Sequence, residues 1–124
     1  MTLPSYDNKK LSNYNFLDTI KENNPKLFFA PDLIEIIINT RRQEVASHTF
    51  SHFYCLEDGQ TISDFQNDLI KFDILSKEKN FNINSIVFPR NQVNNKYLVM
   101  MKRYGISSYR GMENNWLNKP VSST

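Results

Sequence analysis

Glu44-Val45-Ala46-Ser47-His48-Thr49-Phe50-Ser51-His52 is the stretch on which the reading of this chain turns. Its first four residues suit a short strand, and the only two histidines of the molecule follow, four positions apart. In sheets of parallel strands joined by helices, ligands bind at the C-terminal strand ends. Two imidazoles at this spacing can converge on one cation when the turn between them is helical or tight. On spacing alone, solvent-facing or core-satisfied histidines are the commoner outcome, so the flanking sequence has to decide.

Upstream, Pro31-Asp32 opens a helix, with Pro at its start and Asp32 favoured by the helix dipole. Leu33, Ile34, Ile36, Ile37 and Ile38 form an apolar stripe broad enough to predict a largely buried helix. Asn39-Thr40-Arg41-Arg42 places positive charge at its C-terminal end. Earlier still, a short helix over Phe16–Ile20 stops at Asn23-Asn24-Pro25, and residues 1–13 look like a loose arm.

Downstream, Asp58-Gly59 signals a turn, and Ser63 with Gln66 fits a capping box. Phe65, Leu69, Phe72 and Leu75 recur at helical steps, predicting an amphipathic helix that ends near Lys79, with a core Phe72 beside a solvated Asp73. Ser85–Phe88 is a second strand, stopped by Pro89. Asn94–Tyr104 is a further helix with Tyr97, Leu98, Met101 and Tyr104 on one face and Gly105 just past its end. Ile106–Arg110 is the third strand, and 112–124 is a second loose arm.

Helices alternating with strands predict an α/β fold with mostly parallel strands and crossover helices. Three strands leave two bare sheet edges, and a whole barrel runs to about 200 residues or more. The expectation is therefore one incomplete domain, 1–124, a fragment of a deformed (β/α) barrel whose edges suit pairing with a second copy.

A formal charge of +2 without a basic stripe argues against nucleic acid as a partner. The lone Cys55 excludes an internal disulfide. No run approaches the roughly 18 apolar residues of a membrane span, and the first ten residues lack a signal-peptide core. The expected setting is the cytoplasm.

The Glu44–His52 stretch resembles the second motif of the polysaccharide deacetylase family, which includes chitooligosaccharide and peptidoglycan deacetylases: an acidic residue, an apolar strand, then His-Ser/Thr-x-x-His. Ile86-Val87-Phe88-Pro89-Arg90-Asn91-Gln92 resembles a variant of the third motif, and Tyr104-Gly105-Ile106 with Tyr109-Arg110-Gly111 is similar to the helix, glycine and strand that follow it. The resemblance spans about Pro31 to Gly111. It implies a hydrolase that binds a divalent metal, zinc in most members, and uses it to activate water against the N-acetyl carbonyl of a sugar polymer. It makes His48 and His52 metal ligands, with Thr49 and Ser51 shaping the loop, Phe50 turned inward, and Ser47 and Thr49 hydroxyls as outer partners. Arg90 becomes a candidate catalytic residue, and Phe88, Pro89 and Asn91 candidate substrate contacts.

The chain also departs from the family pattern. The first motif, Thr-Phe-Asp-Asp, which supplies the base and the aspartate ligand, has no counterpart in 1–43, and no histidine follows His52 to act as the acid. Arg90 follows its proline, where the family has Arg before two prolines. Cys55 is a conceivable replacement ligand, although a small buried thiol is the plainer reading, and Glu57 and Asp58 could lean in from the same loop.

Overall fold

The computed structural model describes residues 4–24, 26 and 28–111. Short 3-10 turns over Lys9–Leu11 and Asn13–Phe16 lead into α1 (Leu17–Glu22), followed by α2 (Pro31–Asn39) and the long α3 (Ile62–Glu78). Strand β1 (Ser85–Val87), helix α4 (Asn95–Arg103) and strand β2 (Ser108–Arg110) complete the described chain. The fold is mixed α/β around a small parallel sheet, with Ser85, Ile86 and Val87 opposite Ser108, Tyr109 and Arg110.

The expected first strand, Glu44–Ser47, contracts to a single parallel bridge between Ser47 and Ile86. It is made by Ser47 N–H to the Ser85 carbonyl (2.9 Å) and Val87 N–H to the Ser47 carbonyl (2.8 Å). Ile86 therefore has Ser47 on one side and Tyr109 on the other, and β1 is the central line of the sheet. The third strand begins at Ser108 rather than Ile106, because the Ile106 N–H is spent on the Met101 carbonyl at the end of α4.

That core is built from Phe53, Cys55, Phe65, Leu69, Ile86, Phe88, Tyr97, Met101 and Ile106. Phe65 stacks on Tyr97 with centroids 4.8 Å apart, which fastens α3 to α4. The α3 cap differs from the expected pair. Thr61 and Asp64 make the reciprocal box: the Thr61 hydroxyl accepts from Asp64 N–H, and the Asp64 carboxylate accepts from Thr61 N–H (2.8 Å). Ser63 already lies inside the first turn. Gly105, at φ 77°, closes α4 as its position suggested, with Ile106 N–H reaching back to the Met101 carbonyl.

Two expectations are overturned. The apolar helix α2 is not buried: every residue from Pro31 to Asn39 is exposed, with Leu33 and Ile36 each at 60 %. The N-terminal stretch is not loose from Ser5 onward. Tyr54 N–H donates to the Tyr6 hydroxyl (2.8 Å), Asp7 N–H to the Asp58 carbonyl (3.0 Å), and the Ser5 hydroxyl to the Gly59 carbonyl (3.0 Å). Gly59, at φ 88°, admits this approach; a Cβ there would collide with the Asp7 backbone nitrogen. The second arm, 112–124, lies outside the described residues. No helix among the described residues is long and apolar enough to cross a membrane.

Candidate functional site

His48 emerges directly after the Ser47 bridge, at the C-terminal edge of the parallel strands, and the chain then folds into a tight loop rather than a helix. Thr49 and His52 both take positive φ, 62° and 55°, which bends the chain so that the two imidazoles face one another. Their ring centroids lie 4.9 Å apart at an interplanar angle of 65°. Each ring points its Nδ1 into the protein. His48 Nδ1 lies 2.7 Å from the Val87 carbonyl oxygen, and since a carbonyl only accepts, Nδ1 is the donor and Nε2 is the nitrogen left for a ligand. His52 Nδ1 lies 3.1 Å from the Tyr54 hydroxyl.

Burial holds the His52 imidazole below its ordinary pKa, helped by the charges of His48 and Arg90. A neutral ring with a free nitrogen is the metal-ligating form. Arg90 stands over the Tyr54 ring, its guanidinium carbon 4.3 Å from the centroid, and reaches Glu57 Oε1 at 3.3 Å. Arg90, Tyr54 and His52 thus form a continuous stack, with His52 edge-on to Tyr54 at 5.2 Å.

The hydroxyls flanking the histidines build the loop. Ser47 Oγ accepts from Thr49 N–H (3.0 Å), and Thr49 Oγ1 accepts from Phe53 N–H (2.6 Å). Neither oxygen has an imidazole among its hydrogen-bond partners, so both act on loop shape. Ser51 donates its hydroxyl to Asp68, a residue with no sequence signal beyond its place on the buried face of α3. Glu44, the acidic residue that opens the motif, accepts from the Ser85 hydroxyl at 2.8 Å and ties the approach of the loop to β1.

Phe50 is 39 % exposed and lines the surface, contrary to the inward position expected for it. Its backbone N–H, not its ring, is what the protein engages, by a bond to Asp68. Phe88 and Pro89 are fully buried, so they form the floor under the loop and cannot touch a substrate in this arrangement. The reason is local: Phe88 packs on Phe65 (6.0 Å) and Tyr109 (6.2 Å), in the core below the strand ends. Asn91 is half-buried, and its side-chain oxygen accepts from Arg110 at 3.0 Å. Arg90 and Asn91 both sit at positive φ, 53° and 54°, and this turns the Arg90 side chain outward from the strand end.

Cys55 is fully buried in the core, where burial, then the nearby Asp68 charge, pushes its thiol up to about 12; it is no replacement ligand. Glu57 is taken by Arg90 and by the Gln92 amide (2.9 Å). Among the described residues, no group of three or more His, Cys, Asp or Glu comes together to hold a metal ion.

Two apolar grooves flank the loop and share Thr49, Phe72 and Leu75. One, of about 330 Å³, opens beside His48, and the other, of about 470 Å³, beside His52 and Phe50. Compared with family models, with curated proteins and with solved structures, the chain matches none.

Proposed function

We propose that this chain carries the metal-binding part of a polysaccharide-deacetylase-like centre on a portion of a deformed (β/α) barrel. Its reaction is hydrolysis of acetyl groups, by cleavage of the amide C–N bond, from an N-acetylated sugar polymer, in the cytoplasm. The observation that carries the reading is the common orientation of His48 and His52. Both turn Nδ1 inward, to Val87 and Tyr54, at the C-terminal edge of a parallel strand, which presents two imidazoles side by side.

Two imidazole nitrogens suit a divalent ion, zinc first, and supply two of the three protein donors that a catalytic zinc takes. The third donor, the base and the acid have no candidates among the described residues. A bound ion would supply Lewis-acid activation of water and of the acetyl carbonyl. The chain's own residues do the rest of what can be assigned. The Val87 carbonyl fixes the His48 tautomer, and the Tyr54 hydroxyl orients His52. The exposed Arg90, braced by Glu57 and Tyr54, offers N–H donors to the hydroxyl or carbonyl oxygens of a sugar at the same rim.

Acetate release from N-acetylglucosamine oligomers by zinc-loaded protein is the test. The expected result is release that a chelator stops and His52→Ala abolishes. No release from the loaded protein, or release indifferent to His52→Ala, would contradict the enzymatic reading.

The exposed apolar face of α2 favours a second reading, a catalytically silent module that binds metal or carbohydrate and pairs with a second copy. Sedimentation decides it: a dimer that Ile36→Lys converts to monomer supports this reading, and a monomeric wild type opposes it.

A further inference from the structure

Between the two histidines, the backbone amides of the loop donate to side chains rather than to the sheet. Thr49 and His52 are in the left-handed region, and the two residues between their bends, Phe50 and Ser51, lie outside helix and strand. Their amide protons go instead to one side chain. Phe50 N–H donates to Asp68 Oδ1 (2.7 Å), Ser51 N–H to Asp68 Oδ2 (2.7 Å), and the Ser51 hydroxyl to the same Oδ2 (2.5 Å). Asp68 comes from the middle of α3, one turn beyond the capping Asp64, and is 5 % exposed between the buried Phe65 and Leu69. The salt bridges among the described residues do not include it, so N–H and O–H donors alone meet its charge. Burial raises its pKa, and the Ser51 hydroxyl and the two amides only partly offset that. A carboxylate kept at this cost in a protein core, with both oxygens spent on one loop, is a device for fixing that loop's shape.

We infer that Asp68 is the positioning residue of the histidine pair: by clamping Phe50 and Ser51 it sets the separation and tilt of His48 and His52. It is not itself a ligand, because both of its oxygens are engaged by the loop. The inference rests on the metal-binding reading for its consequence, and on the loop geometry alone for its substance.

Asp68→Asn keeps the volume but leaves one acceptor and turns an NH₂ toward N–H donors. Two measurements on this variant and on wild type separate the possibilities: nitrogen-15 spectra of the imidazoles in the metal-free protein, and calorimetric titration with zinc. The expected result is a His48 ring that no longer keeps its proton on Nδ1, and zinc affinity lower by about tenfold. The urea midpoint should fall as well, since the amide leaves a loop donor without its acceptor, so stability alone does not test the clamp.

An unchanged His48 tautomer, with zinc affinity equal to wild type, overturns the inference even if the urea midpoint falls, since that pattern is a structural role alone. If wild type and His48→Ala take up zinc identically, the metal reading fails, while the imidazole spectra still decide the role of Asp68. If Asp68→Asn does not fold, Ser51→Ala, which removes only the hydroxyl bond, carries the test. A shift in the same direction supports the clamp, and unchanged imidazoles and affinity overturn it.

Discussion

Thr49 shows how much one hydroxyl does in this chain. It sits between the histidines with φ 62°, 8 % exposed, and its Oγ1 is the acceptor for the buried Phe53 N–H. Left-handed backbone is unfavourable for a β-branched residue, so the hydrogen bond and the packing of Phe53 offset the strain. Thr49→Val keeps the shape and removes the acceptor. It should cost about 1–3 kcal/mol in urea unfolding, the penalty of a buried unsatisfied donor; a midpoint equal to wild type would mean that the loop finds another acceptor. The residue types of this loop were legible in the sequence, because His-Thr-x-Ser-His at a strand end suggested both a metal pair and hydroxyls shaping the turn. What could not be read was the direction of each bond. The Ser47 and Thr49 hydroxyls serve backbone amides instead of imidazoles, and the groups that meet the rings are the Val87 backbone carbonyl and the Tyr54 hydroxyl, while Asp68 holds the loop between them.

At the scale of elements, periodicity located α3 and α4 and missed how their neighbours are used. The α3 cap moved two residues upstream because Asp64 closes the box as readily as a Glu or Gln would, its carboxylate reaching both the amide and the hydroxyl of Thr61. Thr61→Ala should therefore destabilise by about 1 kcal/mol in chemical unfolding. Ser63→Ala, the change that the Ser63–Gln66 pattern would single out, should leave stability within about 0.5 kcal/mol. The reverse order would restore the sequence-based cap. Helix α2 is the larger miss. Its stripe of leucine and isoleucines has the composition of a core helix, yet composition reports that a face wants burial, not that a partner is present. The Glu44–Ser47 strand shrank for a related reason: with one hydrogen-bonded neighbour, only Ser47 has a partner to pair with.

Among the described residues, the molecule is a core of one aromatic cluster and one parallel pair of strands, and the two most perturbed protonated groups there lie within or against that core. Cys55 and Tyr6 are pushed up to about 12, from 9.0 and 10.0, chiefly by burial. Both are neutral in the fold, and the unfolded chain loses their protons first. Their contribution is thus complete below pH 9.0 and is lost as pH rises toward about 12. Urea midpoints should hold steady to about pH 8 and fall by about pH 11, with the earlier part of the fall absent in Cys55→Ala. A flat profile would mean that water reaches the core. The α/β class and the parallel order were legible from the alternation of helix and strand, whereas the docking of the N-terminal stretch was not, because Tyr6 and Gly59 are single residues 53 positions apart.

The central claim is that His48 and His52 act together on one divalent ion, and calorimetric titration of zinc into wild type and His48→Ala tests it most directly. The account predicts one site per chain in wild type and an affinity loss in His48→Ala at least as large as the about 10–100-fold that removal of an outer-shell partner causes. Equal binding by the two proteins, or none by either, would contradict it.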